Sequence, residues 1–131
     1  RRLAGRAAHG RPVTSLRFVA DGSHLISAAR DHKMRLWRAD TGENVLVHYP
    51  DAFNMHKGMK QLALSGRGWL TRVYLPSTDG VVVYSLHTGA KLAVLKGHFG
   101  EVLCCAASPP GGDVRLFSGG EDGFVNLWVP P

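Results

Sequence analysis

The stretches SAARDHKMRLW (residues 27–37) and SGGEDGFVNLW (residues 118–128) decide how this chain is read. Each opens on a serine, places an aspartate four residues later and closes on a tryptophan six residues after that, giving Ser27, Asp31 and Trp37, then Ser118, Asp122 and Trp128. A histidine precedes each set, His9 and His98, at the head of the related segments HGRPVTSLRF (9–18) and HFGEVLCCAA (98–107). The two histidines lie 89 residues apart. That is too long for one supersecondary unit and fits two repeats of roughly 40 to 45 residues each. A third copy must lie between them.

The middle copy is VVVYSLHTG (81–89), which aligns in frame with MRLWRADTG (34–42) on the shared Thr-Gly, Thr88-Gly89 against Thr41-Gly42. Tyr84 then takes the tryptophan position, Thr78 the aspartate position and Tyr74 the hydroxyl position. Trp37 to Tyr84 is 47 residues and Tyr84 to Trp128 is 44, so the period holds although the tetrad is lost.

Short β-branched runs bounded by Gly, Pro and Asp turns mark the strands. They are expected at residues 13–18, 24–28, 34–37 and 45–49 in the first repeat. The second has 61–64, 69–75, 81–85 and 91–95, and the third 102–107, 115–118 and 124–129. Residues 51–57 are polar without periodicity and read as a connecting loop. A period of this size built from four short strands is that of a propeller blade. The expected fold class is all-β, a partial β-propeller of three four-stranded antiparallel blades. Their bounds are 9–50, 51–95 (degenerate) and 96–131 (lacking its outer strand), with almost no helix. Since known propellers use roughly 4 to 8 blades, three are expected to be a fragment of a ring, and a chain opening on Arg1 agrees.

The net charge of +6 raises a nucleic-acid partner, but Arg1, Arg2, Arg6 and Arg11 supply four of the positives ahead of the first strand. A basic stretch of that kind reads as a solvated loop. Cys104 and Cys105 are adjacent and point to opposite strand faces, which rules out a disulfide framework or zinc site and favours a reduced compartment. No apolar run approaches the roughly 18 residues of a membrane span, and no secretory signal stands out.

His, Ser and Asp are the residue types of a hydrolase triad. A nucleophilic serine, however, needs an exposed, strained elbow and nearby oxyanion donors, whereas Ser27 and Ser118 follow Leu25-Ile26 and Leu116-Phe117 inside strands. The tetrads His9–Ser27–Asp31–Trp37 and His98–Ser118–Asp122–Trp128 therefore read as structural relays in which each polar group satisfies the next. His24, His32, His48, His56 and His87 show no paired ligand spacing, so no metal is expected. The glycine clusters lack a following Lys-Ser or Lys-Thr, and no cofactor or enzymatic activity is expected. Function then falls to the loops at the strand ends, where Arg11, Arg30, His32, Lys33, Phe99, Glu101 and Glu121 form the candidate partner-binding rim.

With the blades placed, MRLWRADTGENVLVHY (34–49), VYSLHTG (83–89), LKGHFGEVLCC (95–105) and SGGEDGFVNLWVPP (118–131) resemble the later blades of the Cockayne syndrome group A family of WD-repeat proteins, over roughly residues 9 to 130. The stretch 42–49 and the Leu95-Lys96-Gly97-His98 followed by the double cysteine are its more selective parts. The resemblance implies a nuclear substrate receptor of a cullin-RING ubiquitin ligase in transcription-coupled nucleotide-excision repair, with the full ring at seven blades. It also implies the partners: the ligase adaptor, the Cockayne syndrome group B ATPase and the stalled RNA polymerase complex. The short apolar runs argue against a membrane, and the placement of the arginines disfavours direct nucleic-acid contact. Adaptor docking in such receptors often uses Trp-Asp-x-Arg. Trp37 is followed here by Arg38-Ala39-Asp40 and Trp128 by Val129-Pro130-Pro131, so docking is expected outside this chain. The alternatives are a WD-repeat scaffold without a ubiquitin role and a basic nucleic-acid-binding surface.

Overall fold

The computed structural model describes residues 8–55 and 58–130. Arg1, Arg2, Arg6 and His56 lie outside the described residues. Among the described residues, ten strands form three antiparallel sheets. The first sheet contains β1 (Val13–Phe18), β2 (His24–Ala29) and β3 (Met34–Arg38). The second contains β4 (Ala63–Ser65), β5 (Arg72–Ser77), β6 (Gly80–Ser85) and β7 (Lys91–Leu95). The third contains β8 (Val102–Ala107), β9 (Leu116–Gly120) and β10 (Val125–Trp128). Among the described residues the longest helical segment is one 3-10 turn, Gly68–Leu70.

The middle sheet is clad on both sides, and its sequence shows why. Side chains alternate across a strand, and in β6 Val82 and Tyr84 enter one apolar cluster with Ile26, Met34 and Leu36 of the first sheet. Val81 and Val83 enter a second cluster with Val102, Cys105 and Leu116 of the third. A strand buried on both faces reads as an unbroken apolar run, which is what VVVY is. The outer sheets lack this double cover. Leu16 and Phe18 pair across from Ser27 and Leu25, on the face of the first sheet turned away from the second, and are exposed. Val125 and Leu127 are likewise exposed on the third.

Three sequence expectations change. The fourth strand at 45–49 is absent from the first sheet, where only a single bridge, Trp37 to Asn44, continues the ladder. The Asn44 Oδ1 accepts the Leu46 N–H at 2.9 Å and Leu46 turns into the left-handed region (φ 65), so the chain leaves the sheet. It crosses instead to the next blade, where the Tyr49 hydroxyl donates to the Leu86 carbonyl and a Cβ on Gly89 would sit 1.9 Å from the His48 carbonyl oxygen. Second, the strand expected from residue 69 starts at Arg72, because Gly68–Leu70 closes a 3-10 turn. Third, the hydroxyl position of the middle blade is Leu75 and not Tyr74. Trp37 pairs with Leu25 two residues before Ser27, and Tyr84 pairs with Val73 two residues before Leu75. The β5–β6 hairpin is one residue tighter than β2–β3, which rotates Tyr74 to the opposite face, where its hydroxyl meets Ser65 at 2.8 Å.

Candidate partner-binding rim

Both tetrads are assembled, and in the same way. Trp37 Nε1 donates to the Ser27 oxygen at 2.9 Å, Ser27 meets His9 Nε2 at 2.7 Å, and His9 Nδ1 lies 3.1 Å from the Asp31 carboxylate. In the third blade Trp128 donates to Ser118 at 2.9 Å, Ser118 meets His98 Nε2 at 2.8 Å, and His98 Nδ1 lies 3.1 Å from Asp122. With Nδ1–H given to the carboxylate, Nε2 is left to accept the serine proton, so every polar atom has a partner. Ser27 is only 2% exposed and its oxygen already accepts from an indole. Such a hydroxyl is a brace between strands, not a nucleophile.

The aspartates extend the brace to the loops. Asp31 accepts the Gly10 N–H and the Lys33 N–H, each at 3.1 Å, and Asp122 accepts those of Phe99 at 2.9 Å and Phe124 at 3.1 Å. Burial pushes the Asp31 carboxyl up, but the Gly10 amide, the His9 charge and hydrogen bond and the Lys33 amide outweigh it and hold it below the usual carboxylate range. For Asp122 burial again opposes, and the Phe99 and Phe124 amides with His98 prevail. Each tetrad therefore ties the loop that enters its blade to the turn after its second strand. The rim residues are mounted on this frame.

On the first blade the frame gathers Arg11, Arg30, Asp31 and His32 around an open groove of about 530 Å³, closed on the far side by Asn54 and Met55. His32 stands at φ 62, and its Nδ1 accepts the Asn54 N–H at 2.9 Å while its ring meets Phe53 edge-on at 5.7 Å. Asn54 Nδ2 donates to Thr14 at 3.2 Å, and its buried Oδ1 is without a hydrogen-bond partner. Lys33 is exposed beside the groove and does not line it. On the third blade Phe99, the most exposed large apolar residue described, has its ring 6.2 Å from that of Phe124, with exposed Glu121 nearby. The expected rim is thus two patches.

Glu101 belongs to neither patch. Its carboxylate accepts from Lys60 Nζ and, at 2.7 Å, from the Thr78 hydroxyl. Lys60 is 1% exposed, so the pair is a charged lock between the second and third blades, and the expected rim role of Glu101 is corrected. Thr78, at the aspartate position of the degenerate blade, serves that lock. Asn54, Met55, Phe124 and Lys60 were not legible as site residues. Asn54 and Met55 sit in a stretch that reads only as a polar connector, and Lys60 carries no sign in sequence that it is buried. Burial raises the Cys105 thiol to about 12, with Cys104 adding to the shift, so it offers no thiolate. No group of three metal-binding side chains occurs among the described residues.

The family profile described as "WD domain, G-beta repeat" matches residues 3–38 and 89–129, more than half of the chain and the two blades that carry tetrads. The chain belongs to this WD40 family. Among curated proteins it is 33% identical over 125 residues to the WD repeat-containing protein ATCSA-1 of Arabidopsis thaliana, covering 94% of this chain and 26% of that protein. It is 28% identical to WD repeat-containing protein 1 of Gallus gallus, covering 96% of this chain and 20% of that one. With the echinoderm microtubule-associated protein-like 2 of Rattus norvegicus the identity is 30%, over 92% of this chain and 17% of that one. The chain thus spans about a quarter or less of the length of these relatives. Among solved structures, the WD40 repeats of RRP9 superpose with a TM-score of 0.76 at 22% identity, covering 94% of this chain and 37% of that one. A computationally designed protein, Ika4, superposes with a TM-score of 0.63 at 28% identity over 92% of this chain and 68% of that one. This WD40 chain is accordingly a set of antiparallel sheets of the propeller type, and a protein-interaction module.

Proposed function

We propose that this WD40 module is part of the substrate receptor of a nuclear cullin-RING ubiquitin ligase acting in transcription-coupled nucleotide-excision repair, contributing three blades to a ring of seven. The observation that carries the protein-binding part is the rim itself. The first tetrad, through Asp31, holds Arg11, Arg30 and His32 around one groove. The repair assignment rests on the segments that resemble the Cockayne syndrome group A family. In this reading the groove engages a repair factor such as the Cockayne syndrome group B ATPase or the stalled polymerase, while the ligase adaptor docks elsewhere. The two Trp ends lack the docking arginine.

A second reading, a scaffold with no ubiquitin role, is favoured by the matches of similar extent to proteins named for other assemblies, including the microtubule-associated relative. Affinity purification of the full-length protein from nuclear extract separates the two. Stoichiometric recovery of a cullin and its adaptor supports the receptor, and their absence while other partners are retained leaves the scaffold.

A further inference from the structure

The end of the blades opposite the rim holds a pocket of about 360 Å³ between the first and second blades, walled by the β1–β2 turn and by the β4–β5 turn, with His87 at its side. Two neighbouring residues of the second turn, Trp69 and Leu70, are 78% and 82% exposed. They are not loosely held. Gly66 and Gly68 adopt positive φ (81° and 54°), and a Cβ on Gly66 would lie 2.7 Å from the Leu70 carbonyl oxygen, so only glycine permits this closure. The Thr71 hydroxyl donates to the Gly68 carbonyl at 2.8 Å and the Leu70 N–H to the Arg67 carbonyl at 3.1 Å, finishing the turn. The corresponding turns of the sister blades, Ala20-Asp21-Gly22-Ser23 and Pro109-Pro110-Gly111-Gly112, carry no large apolar side chain. A further blade would not cover Trp69 and Leu70, because the turn lies at the end of a sheet whose two faces are already packed.

The charges around the pocket say what would cover them. Among the described residues the Arg67 guanidinium has no hydrogen-bond or ion-pair partner. Asp21 is engaged instead, accepting the Ser23 N–H at 2.9 Å, with the Ser23 hydroxyl also directed to His24 Nδ1 at 2.8 Å. His87 lies against Trp69, with ring centroids 4.7 Å apart and planes tilted by 55°, and meets His24 edge-on at 5.5 Å. Burial, and then the His24 ring, hold His87 below its ordinary value, so near neutral pH it presents an apolar ring face. What the pocket offers is the Arg67 guanidinium, unpaired among the described residues, across from an Asp21 carboxylate held on its own turn by the Ser23 amide, beside a rigid pair of exposed apolar side chains.

We propose that this second rim is a docking site, separate from the groove of Arg11, Arg30 and His32, for an acidic linear segment of a partner protein, with a carboxylate paired to Arg67 and an apolar side chain laid against Trp69 and Leu70. Trp and Arg are the residues on which binding energy concentrates. The proposal does not depend on the ubiquitin-ligase reading.

The test uses the full-length protein and two labelled hexapeptides, Glu-Glu-Phe-Leu-Glu-Glu and its Lys-flanked counterpart, followed by fluorescence anisotropy. The acidic peptide is expected to bind and the basic one not. Arg67→Glu and Trp69→Ala should each weaken binding by about tenfold or more, Arg67→Lys much less, and Arg11→Glu on the opposite rim should leave it unchanged. Because both residues are exposed on a turn, an unchanged circular dichroism spectrum keeps the loss interpretable, and Arg67→Ala replaces any variant that misfolds. Equal binding of both peptides, no binding of the acidic one, or retention of its affinity in Arg67→Glu overturns the proposal.

Discussion

Removing Glu101 should cost more than removing Lys60, although the two residues share one ion pair. Lys60 is 1% exposed and Glu101 19%, and Glu101 keeps a second partner in Thr78. Deleting the carboxylate in Glu101→Ala leaves a buried ammonium with no counter-charge, a loss of about 3 to 5 kcal/mol. Lys60→Met fills nearly the same volume with apolar atoms and leaves a carboxylate that is partly hydrated and still bonded to Thr78. That change should cost about 1 to 2 kcal/mol at most, since replacing a buried charge by a well-packed apolar group is often near neutral. With a urea dependence of about 2 kcal/mol per molar, the first variant should move the unfolding midpoint by roughly 2 M and the second by less than about 1 M. The double variant should resemble Lys60→Met alone, because the stranded charge is gone. Urea titration of the full-length protein followed by tryptophan fluorescence reads all three. A Lys60→Met loss equal to or larger than that of Glu101→Ala would refute the reasoning, as would two losses that simply add.

The tetrads give a second contrast. Asp31→Ala strands the Gly10 and Lys33 amides and the His9 ring and should destabilise by about 2 to 3 kcal/mol, whereas Thr78→Ala, which removes one exposed hydroxyl, should cost under about 1 kcal/mol by thermal melt. Because the folded Asp31 carboxyl is held below its ordinary value of 3.8, its contribution is complete above that pH and is lost as pH falls through the folded value, so the Asp31→Ala penalty should shrink as the solution is acidified below about pH 4. Expressed alone, the 131-residue chain should self-associate through the open faces that carry Leu16 and Phe18 on the first sheet and Val125 and Leu127 on the third, and light scattering coupled to gel filtration would report it. A monomer that folds cooperatively at tens of micromolar would contradict this.

The fold was legible because its signals are periodic and local. The repeated Ser–Asp–Trp spacing fixed the hairpins, whereas the double burial of the VVVY run emerges only from the structure. What failed to read was decided by single residues against the period. Asn44 captures the Leu46 amide and diverts a stretch whose β-branched composition, Val45-Leu46-Val47, otherwise reads as a strand. One residue fewer in the β5–β6 hairpin moves the hydroxyl position from Tyr74 to Leu75, and spacing counted from Tyr84 cannot register it. The rim was legible as a place more than as a set of contacts. The turn after β2 and the loop before β1 were identified, but the groove is completed by Asn54 and Met55 from the connector, and Glu101 is drawn into the lock by a lysine 41 residues earlier in the chain.

The most direct test of a protein-binding rim is a side-by-side pull-down of the repair factor and the ligase adaptor that the proposed function calls for, on one variant of the full-length protein, Arg30→Glu with Lys33→Glu. Both positions sit on the turn that Asp31 anchors through the Lys33 amide, and a thermal melt of the variant verifies that the fold is retained. Capture of the repair partner should fall severalfold while adaptor recovery stays at the unmodified level, because rim charges act through complementarity and steering. Loss of the adaptor with retention of the repair partner would reverse the assignment of this rim, and unchanged capture of both would reduce it to ordinary surface.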